Sequence, residues 1–293
     1  MAAPKKTEPE KTEAPETRVV IGLDTSLVAR EALSLAARLA ASVDARLKGV
    51  FVEDENLLTL ADLPFAREIS LSGEIRSVDP ERMLRAMKAQ AESVRRTLAR
   101  IAAEANVDWS FDIRRGRPLA SLAASAGADD TLVIRSPGSA SREVGRTVRA
   151  ATREVHADVL LVGRGVGLRA SLAKTRLAAP ERPATALQAV MPGRPVATVD
   201  EGSSLAESCA AFAETLAARI GAPFRRLSAK GKSAADIADA ARKEGVGLIV
   251  VNAAWLGDDE DAARLSASAG CPVLILGSER APRPAPSHME DGG

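Results

Sequence analysis

Short apolar runs alternate with longer helical patterns along this chain, and that alternation limits the folds open to it. Before residue 165 the apolar runs of buried-strand type lie at 19–23, 46–52, 109–114, 131–134 and 158–162. Strands that are covered on both faces are apolar throughout. The segments between them carry apolar residues at helical spacing, most clearly at 80–106. The pattern predicts an α/β fold with an open parallel sheet flanked by helices, Rossmann-like in outline.

The same order returns after residue 194. The run at 195–199 ends in Asp200, as the first run ends in Asp24, and a helical pattern follows each. Further strands are predicted at 224–229, 247–252 and 272–276, with helices at 205–220, 233–244 and 259–269. We therefore expect two open five-stranded-type sheets, the second belonging to a shortened copy of the first.

Composition marks the boundaries of these copies. Residues 1–17 mix Ala, Pro, Lys, Glu and Thr without periodicity, and 279–293 carry several X-Pro steps, so both are predicted to be disordered tails. Residues 166–193 are rich in Gly, Pro, Ala and Arg, which is typical of a linker. The predicted domains are 18–165 and 194–278.

Charge and composition argue against several classes of partner. The net charge is +1 and aromatic residues make up 2% of the chain, with no tyrosine, which disfavours nucleic-acid binding. No apolar run approaches the roughly 20 residues that span a bilayer. Without an apolar leader, and with only Cys209 and Cys271, the sequence predicts a cytoplasmic protein whose thiols are buried.

The segment 132–162 has the form strand, turn, helix, strand. Gly138 and Ser139 lie in the turn, and Arg135, Arg142 and Arg146 surround it. A turn that leads into a helix directs free backbone N–H groups at one point, where anions bind. Parallel strands end at a common edge, which would also hold Asp24 and the end of the second strand. The alternative is a plain connector with solvated arginines.

Other polar residues favour structural roles. Glu53, Asp54 and Glu55 suggest a metal site, but consecutive residues do not converge on one ion, so we interpret them as a solvated or capping cluster. His156 is interpreted as a packed or capping residue rather than a general base. No spacing indicates a catalytic arrangement, so the sequence predicts neither catalytic residues nor a metal.

Asp24 at the end of the first strand, the segment that begins at Phe51, and the unit at 132–162 resemble the universal stress protein family. The two unequal copies resemble its tandem members. The resemblance implies a fold like that of the adenine nucleotide alpha hydrolases and a regulatory or binding protein, not an enzyme. It also implies pairing of the copies through their last strands as an internal pseudo-dimer, and a homodimer as a further option.

In nucleotide-binding members of that family, a glycine turn after the fourth strand holds the phosphates, and the Asp after the first strand approaches the nucleoside. The resemblance assigns a site to Gly22, Asp24, Phe51, Arg135, Gly138, Ser139, Gly145, Arg146 and Thr147. This turn departs from the family's pattern. Arg135 replaces the first glycine, Arg146 replaces a hydroxyl residue, and Thr147 follows one place late. Only six residues separate Gly138 and Gly145, fewer than the motif has.

Two functions remain open at this point. One is a regulatory protein that binds ATP or another adenine nucleotide through the first copy. The other is an interaction scaffold that binds no nucleotide and works through protein partners. The second copy is expected not to bind a nucleotide, because four acids at 258–261 begin its last helix and would repel phosphate. Trp255 beside them is interpreted as a core plug or a partner contact.

Overall fold

The structure, a computed structural model, describes residues 17–69, 73–135, 142–163, 193–258 and 260–277. We call 17–163 the first half and 193–277 the second half. The predicted turn residues Gly138 and Ser139, nearly all of the predicted linker, and both predicted tails except residue 17 lie outside the described residues.

The described strands follow the apolar runs closely. They are β1 (Arg18–Leu23), β2 (Arg46–Asp54), β3 (Arg67–Ile69), β4 (Ile75–Ser77), β5 (Trp109–Gly116), β6 (Thr131–Arg135), β7 (Asp158–Val162), β8 (Val196–Asp200), β9 (Phe224–Ser228), β10 (Leu248–Asn252) and β11 (Val273–Leu276). Nine of them form one sheet in the order β5-β2-β1-β6-β7-β11-β10-β8-β9, and β3 and β4 form a separate hairpin.

The two halves meet in the middle of that sheet. In this nine-stranded sheet the neighbouring strands of each half are parallel, whereas β7 and β11 pair antiparallel, with Leu160 opposite Leu274. The backbone N–H of Gly277 donates to the carboxylate of buried Asp158 at 3.1 Å beside this seam. A Cβ on Gly277 would lie 2.9 Å from the carbonyl oxygen of His156. The prediction of two sheets is therefore wrong, since pairing of β7 with β11 joins both sets of strands into one sheet.

Helices cover both faces of the sheet. They are α1 (Leu27–Ser42), α2 (Glu55–Ala61), α3 (Pro80–Ala105), α4 (Pro118–Ala123), α5 (Arg142–Arg149), α6 (Ser204–Ile220), α7 (Ala234–Lys243) and α8 (Asp261–Ala269). One face packs on α1, α3 and α6, and the other on α4, α5, α7 and α8. Each apolar core runs across both halves. The prediction of an open, mostly parallel sheet between two helical layers is confirmed.

Local sequence signals set the helix ends. Ser26 and Ser203 each accept a hydrogen bond from a backbone N–H of the helix that follows, as N-cap residues do. Asp79 caps α3 in the same way, and Pro80 begins that helix. Asn106 ends it in the left-handed conformation, with φ 53°.

Three short elements were not predicted. The β3–β4 hairpin follows α2, a π-helical turn at Ala150–Glu154 follows α5, and a 3-10 turn at Ala253–Trp255 follows β10. The strands of the hairpin have three residues each. That length is too short to show a periodic pattern. β2 is also longer than predicted, because Glu53 and Asp54 belong to the strand.

Candidate functional site

A cleft of about 250 Å³ lies where β1, β2 and β6 end. Ligands bind at this position in open α/β sheets, outside the carboxyl ends of the strands. The cleft is lined by Gly22, Leu23, Asp24, Val50, Phe51, Val52, Asp54, Leu57, Met87, Gln90, Pro118, Leu119, Leu122, Val133 and Arg135. Four of the residues that the sequence assigned to a site, namely Gly22, Asp24, Phe51 and Arg135, are therefore brought together here.

Asp24 follows β1 directly and is fixed by its own loop. One carboxylate oxygen accepts the backbone N–H of Ser26 at 2.7 Å. The hydroxyl oxygen of Ser26 accepts the N–H of Ala29 at 3.2 Å and so caps α1. The strand, the turn and the helix cap thus hold the carboxylate in one orientation at the wall of the cleft.

Arg135, the last residue of β6, forms an ion pair with Asp24 across the end of the sheet. Its other terminal nitrogen donates to the hydroxyl oxygen of Ser26 at 3.1 Å. Burial alone would raise the pKa of Asp24, but the hydrogen bonds from Ser26 and the charge of Arg135 lower it below its ordinary value. Asp24 is therefore ionised at neutral pH.

The remaining walls of the cleft are mostly apolar. Met87 comes from α3 on one face of the sheet, and Leu119 and Leu122 come from α4 on the other. A Cβ on Gly22 would lie 3.1 Å from Leu122. The glycine therefore lets α4 pack closely against the end of β1, which explains its place in the site without a direct contact to a ligand.

Asp54 gives the cleft a second carboxylate. It accepts hydrogen bonds from the backbone N–H of Asn56 at 2.9 Å and from the side-chain amide of Asn56 at 3.0 Å, which caps α2. Glu53 pairs with Arg115 at 2.9 Å. Asp54 is thus a capping residue, as the sequence indicated, whereas Glu53 is buried and paired rather than solvated. Among the described residues, no three His, Cys, Asp or Glu side chains are placed to hold a metal ion.

The other predicted site residues that the structure describes lie on α5, away from the lining of the cleft. Gly145 is buried in the helix, and Arg146 is exposed. Thr147 is buried, and its hydroxyl donates to the carbonyl of Glu143 at 2.8 Å within the same helix. Arg142, which was expected near an anion, pairs with Glu260 of the second half at 2.9 Å.

Sequence reasoning missed the helix residues of the cleft. Met87, Gln90, Leu119 and Leu122 line it but carry no motif. Met87 and Leu122 read as ordinary core residues, because they belong to apolar helix faces and are almost fully buried. Only the fold brings α3 and α4 to opposite sides of the same strand ends.

One comparison with known proteins bears on the fold. The sequence matches no protein-family model and no curated protein. The structure resembles that of a universal stress protein from Archaeoglobus fulgidus DSM 4304, with a TM-score of 0.55 and 11% identity over 90% of this chain and 97% of that chain. The chain has the universal stress protein fold.

Two further solved structures match less closely. A functionally unknown protein from Pseudomonas aeruginosa PAO1 has a TM-score of 0.49 and 12% identity over 89% of this chain and 92% of that chain. A universal stress protein family member from Burkholderia pseudomallei has a TM-score of 0.28 and 19% identity, and covers 54% of this chain and 89% of that chain.

In the second half of this universal stress protein fold, the acids before α8 are engaged locally. Asp258 accepts the backbone N–H groups of Glu260 and Asp261 at 2.7 and 2.9 Å, and Asp261 accepts those of Gly257 and Asp258 at 3.0 and 3.2 Å. Arg264 pairs with Glu260. The helix start is thus occupied by its own carboxylates, as the sequence suggested.

Trp255 and the cysteines contribute to packing. Trp255 is half-buried against the core face that holds α7 and α8, which agrees with the interpretation as a core plug. Cys209 and Cys271 are buried, and burial raises the pKa of each thiol to about 12. Within the described ranges, no helix is both long and apolar enough to cross a bilayer.

Proposed function

We propose that this chain is a tandem protein of the universal stress type, cytoplasmic and regulatory, that holds an adenine nucleotide in the cleft of its first half. The observation that carries this proposal is a charged pair, Asp24 and Arg135, at one end of a cleft with mainly apolar walls. Such a cleft can take a planar base and a polar sugar together.

Each part of the ligand has a matching surface. The apolar side chains of Met87, Leu119 and Leu122 suit an adenine ring. The ionised carboxylate of Asp24 accepts hydrogen bonds from ribose hydroxyls, and charge-assisted bonds of this kind are stronger than neutral ones. Arg135 is the one cation among the described residues that line the cleft, so it is the side chain available to a first phosphate.

Binding without turnover fits the side chains of the cleft. Among the described residues that line it there is no His, Cys, Ser, Thr or Lys. Both carboxylates already accept hydrogen bonds, and the lowered pKa of Asp24 makes it a weak base. The proposal therefore assigns no catalytic residue.

The second half is a related copy that pairs with the first half. The orders β2-β1-β6-β7 and β9-β8-β10-β11 run in toward the seam between β7 and β11 from opposite sides of the sheet. That arrangement supports an internal pseudo-dimer of two related units. The acids before α8 support a second half that binds no nucleotide.

Calorimetric titration with adenosine, AMP and ATP tests this function. Wild-type protein should bind at least one of them, and Asp24→Ala should weaken adenosine binding by about tenfold or more, since a charge-assisted bond contributes more than a kilocalorie. Asp200→Ala is the matched control, because it removes a similar carboxylate outside the cleft. Absence of binding to all three ligands in the wild type would refute the proposal.

One observation favours the scaffold as a second candidate. Six of the exposed large hydrophobic side chains lie close together in the chain, on α2, on the hairpin and on the segment that joins them: Leu57, Leu60, Leu63, Phe65, Ile69 and Ile75. Exposed apolar patches often mark binding surfaces. If no adenine ligand binds, and Phe65→Ser with Ile69→Ser changes the mass measured by light scattering, the scaffold is the better account.

A further inference from the structure

The charges on the wall of the cleft restrict which adenine ligand it accepts. Three charged side chains line the described part of the wall: Asp24, Asp54 and Arg135. Two are acidic and one is basic, so the described lining carries a net negative charge at neutral pH. A ligand that brings several negative charges enters an unfavourable potential.

The one cation of that lining is already engaged. Arg135 donates to the carboxylate of Asp24 and to the hydroxyl of Ser26, and about a third of its side chain is exposed. A phosphate that takes Arg135 for itself must draw it away from Asp24. That step would leave a partly buried carboxylate without its partner, which is costly.

Three nearby arginines are engaged elsewhere. Arg115 pairs with Glu53 at 2.9 Å, and Arg117 lies 3.9 Å from Glu55. Neither lines the cleft. On α5, Arg142 is paired with Glu260 in the second half. Arg115, Arg117 and Arg142 are therefore matched with carboxylates of the same chain.

We propose that the cleft selects its adenine ligand for low negative charge, binding adenosine more tightly than AMP and AMP more tightly than ATP. This inference rests on the proposed function, because it assumes that the adenine moiety enters this cleft. The ribose hydroxyls can bond to Asp24 while Arg135 remains in place. Each added phosphate introduces repulsion from Asp24 and Asp54.

Titration of one protein with adenosine, AMP and ATP, with and without magnesium, measures this preference. Adenosine should bind about tenfold more tightly than ATP, or better, which corresponds to a modest repulsion at partly exposed sites. Added salt should strengthen ATP binding relative to adenosine binding, because it screens repulsion. Ordinary phosphate sites show the opposite salt dependence.

Asp24→Asn supplies the sharper test, because it removes a charge while keeping the shape of the side chain. The variant should bind adenosine more weakly and ATP more tightly, since Arg135 is released and one repelling carboxylate is gone. Opposite changes of this kind do not follow from general loosening of the fold. Asp200→Asn is the matched control and should change neither affinity, and melting curves should show that both variants are folded.

The outcomes separate the two proposals. If ATP binds the wild type more tightly than adenosine does, the charge preference is wrong while the adenine site survives. If Asp24→Asn weakens both ligands equally, the charge preference is also wrong. If no adenine ligand binds the wild type, the proposed function and this inference fail together.

Discussion

The two halves differ in which strand supplies the arginine that pairs with the aspartate at the end of their first strand. Asp24 directly follows the first strand of its half and Asp200 is the last residue of the first strand of the other, and each accepts the backbone N–H two residues later, at 2.7 and 3.0 Å. Arg135 reaches Asp24 from β6, whereas Arg226 reaches Asp200 from β9, at 3.6 Å. In the sheet, β9 stands beside β8 in the position that β2 holds beside β1.

That choice of strand decides which side of the carboxylate stays open. In the first half the arginine comes from the inner strand, and the end of β2 is left as a wall of the cleft. In the second half Arg226 covers the outer side of Asp200 and forms a two-pronged contact with Glu207 at 2.7 and 3.0 Å. Two similar strand ends thus leave different sides of the carboxylate open, because a neighbouring cation lies on one side or the other.

The largest expected effect tests whether the two halves fold together. Leu161 on β7 is fully buried, in a core that spans both halves. Leu161→Ala should lower the free energy of unfolding by about 2 to 5 kcal/mol, through lost burial and the cavity that remains. Trp109 reports on the first half and Trp255 on the second, so denaturation of single-tryptophan variants can follow each half separately.

Both tryptophan signals should shift to the same lower denaturant concentration. A shift at Trp109 with none at Trp255 would mean that the halves unfold independently and that the seam is weak. Leu60→Ala makes the same chemical change at a half-exposed position, and its effect should stay within about 0.5 kcal/mol.

The sequence predicts the elements of this fold better than their assembly. Strands β1, β6 and β7 and the long helix α3 were located to within a residue or two. Their apolar periodicity is a local property, so it can be read from neighbouring residues. The pairing of β7 with β11 was expected only from the family resemblance, because it depends on backbone hydrogen bonds between strands far apart in the sequence. Either strand has the same buried pattern whichever neighbour it pairs with.

The residues of the candidate site also divide into those that a local sequence pattern predicts and those that it does not. Asp24 was predicted because it directly follows an apolar strand, which is a local pattern. Arg135 was predicted to lie near an anion, but the structure pairs it with Asp24, which is 111 residues away in the sequence. The apolar walls from α3 and α4 were not predicted, since their residues resemble any other core residues. A contact between residues that are far apart in the sequence leaves no local sequence pattern from which it could be predicted.

Replacing the helix caps of the two halves should have an effect of intermediate size on stability. Ser26 and Ser203 accept N–H groups at 3.2 and 3.1 Å, so replacing either by Ala should cost about 1 kcal/mol. Ser26 also accepts a hydrogen bond from Arg135. Ser26→Ala should therefore cost about 0.5 kcal/mol more than Ser203→Ala, as measured by chemical denaturation.

Making both serine substitutions in a protein that also carries Arg135→Gln shows whether the difference in stability comes from the arginine. There the two serine substitutions should have equal effects, since the hydrogen bond that distinguishes them is gone. If the difference persists in that background, the caps themselves differ, and the comparison between the two strand ends must be revised.

The smallest effect is the pH dependence that Asp24 gives to stability. Its pKa in the folded protein is lowered, because the hydrogen bonds from Ser26 and the charge of Arg135 outweigh its burial. Its stabilising contribution is therefore present above the pKa of an unfolded aspartate, about 4. It is lost as the pH falls from there through the folded pKa.

Between about pH 6 and about pH 3, wild-type protein should lose more stability than Asp24→Asn. The difference should be at most about 1 kcal/mol, because both partners of the ion pair are partly exposed. Arg135→Gln should fall between them, since it keeps the bonds from Ser26. Equal slopes in all three proteins would show that Arg135 and Ser26 do not stabilise the charged form of Asp24.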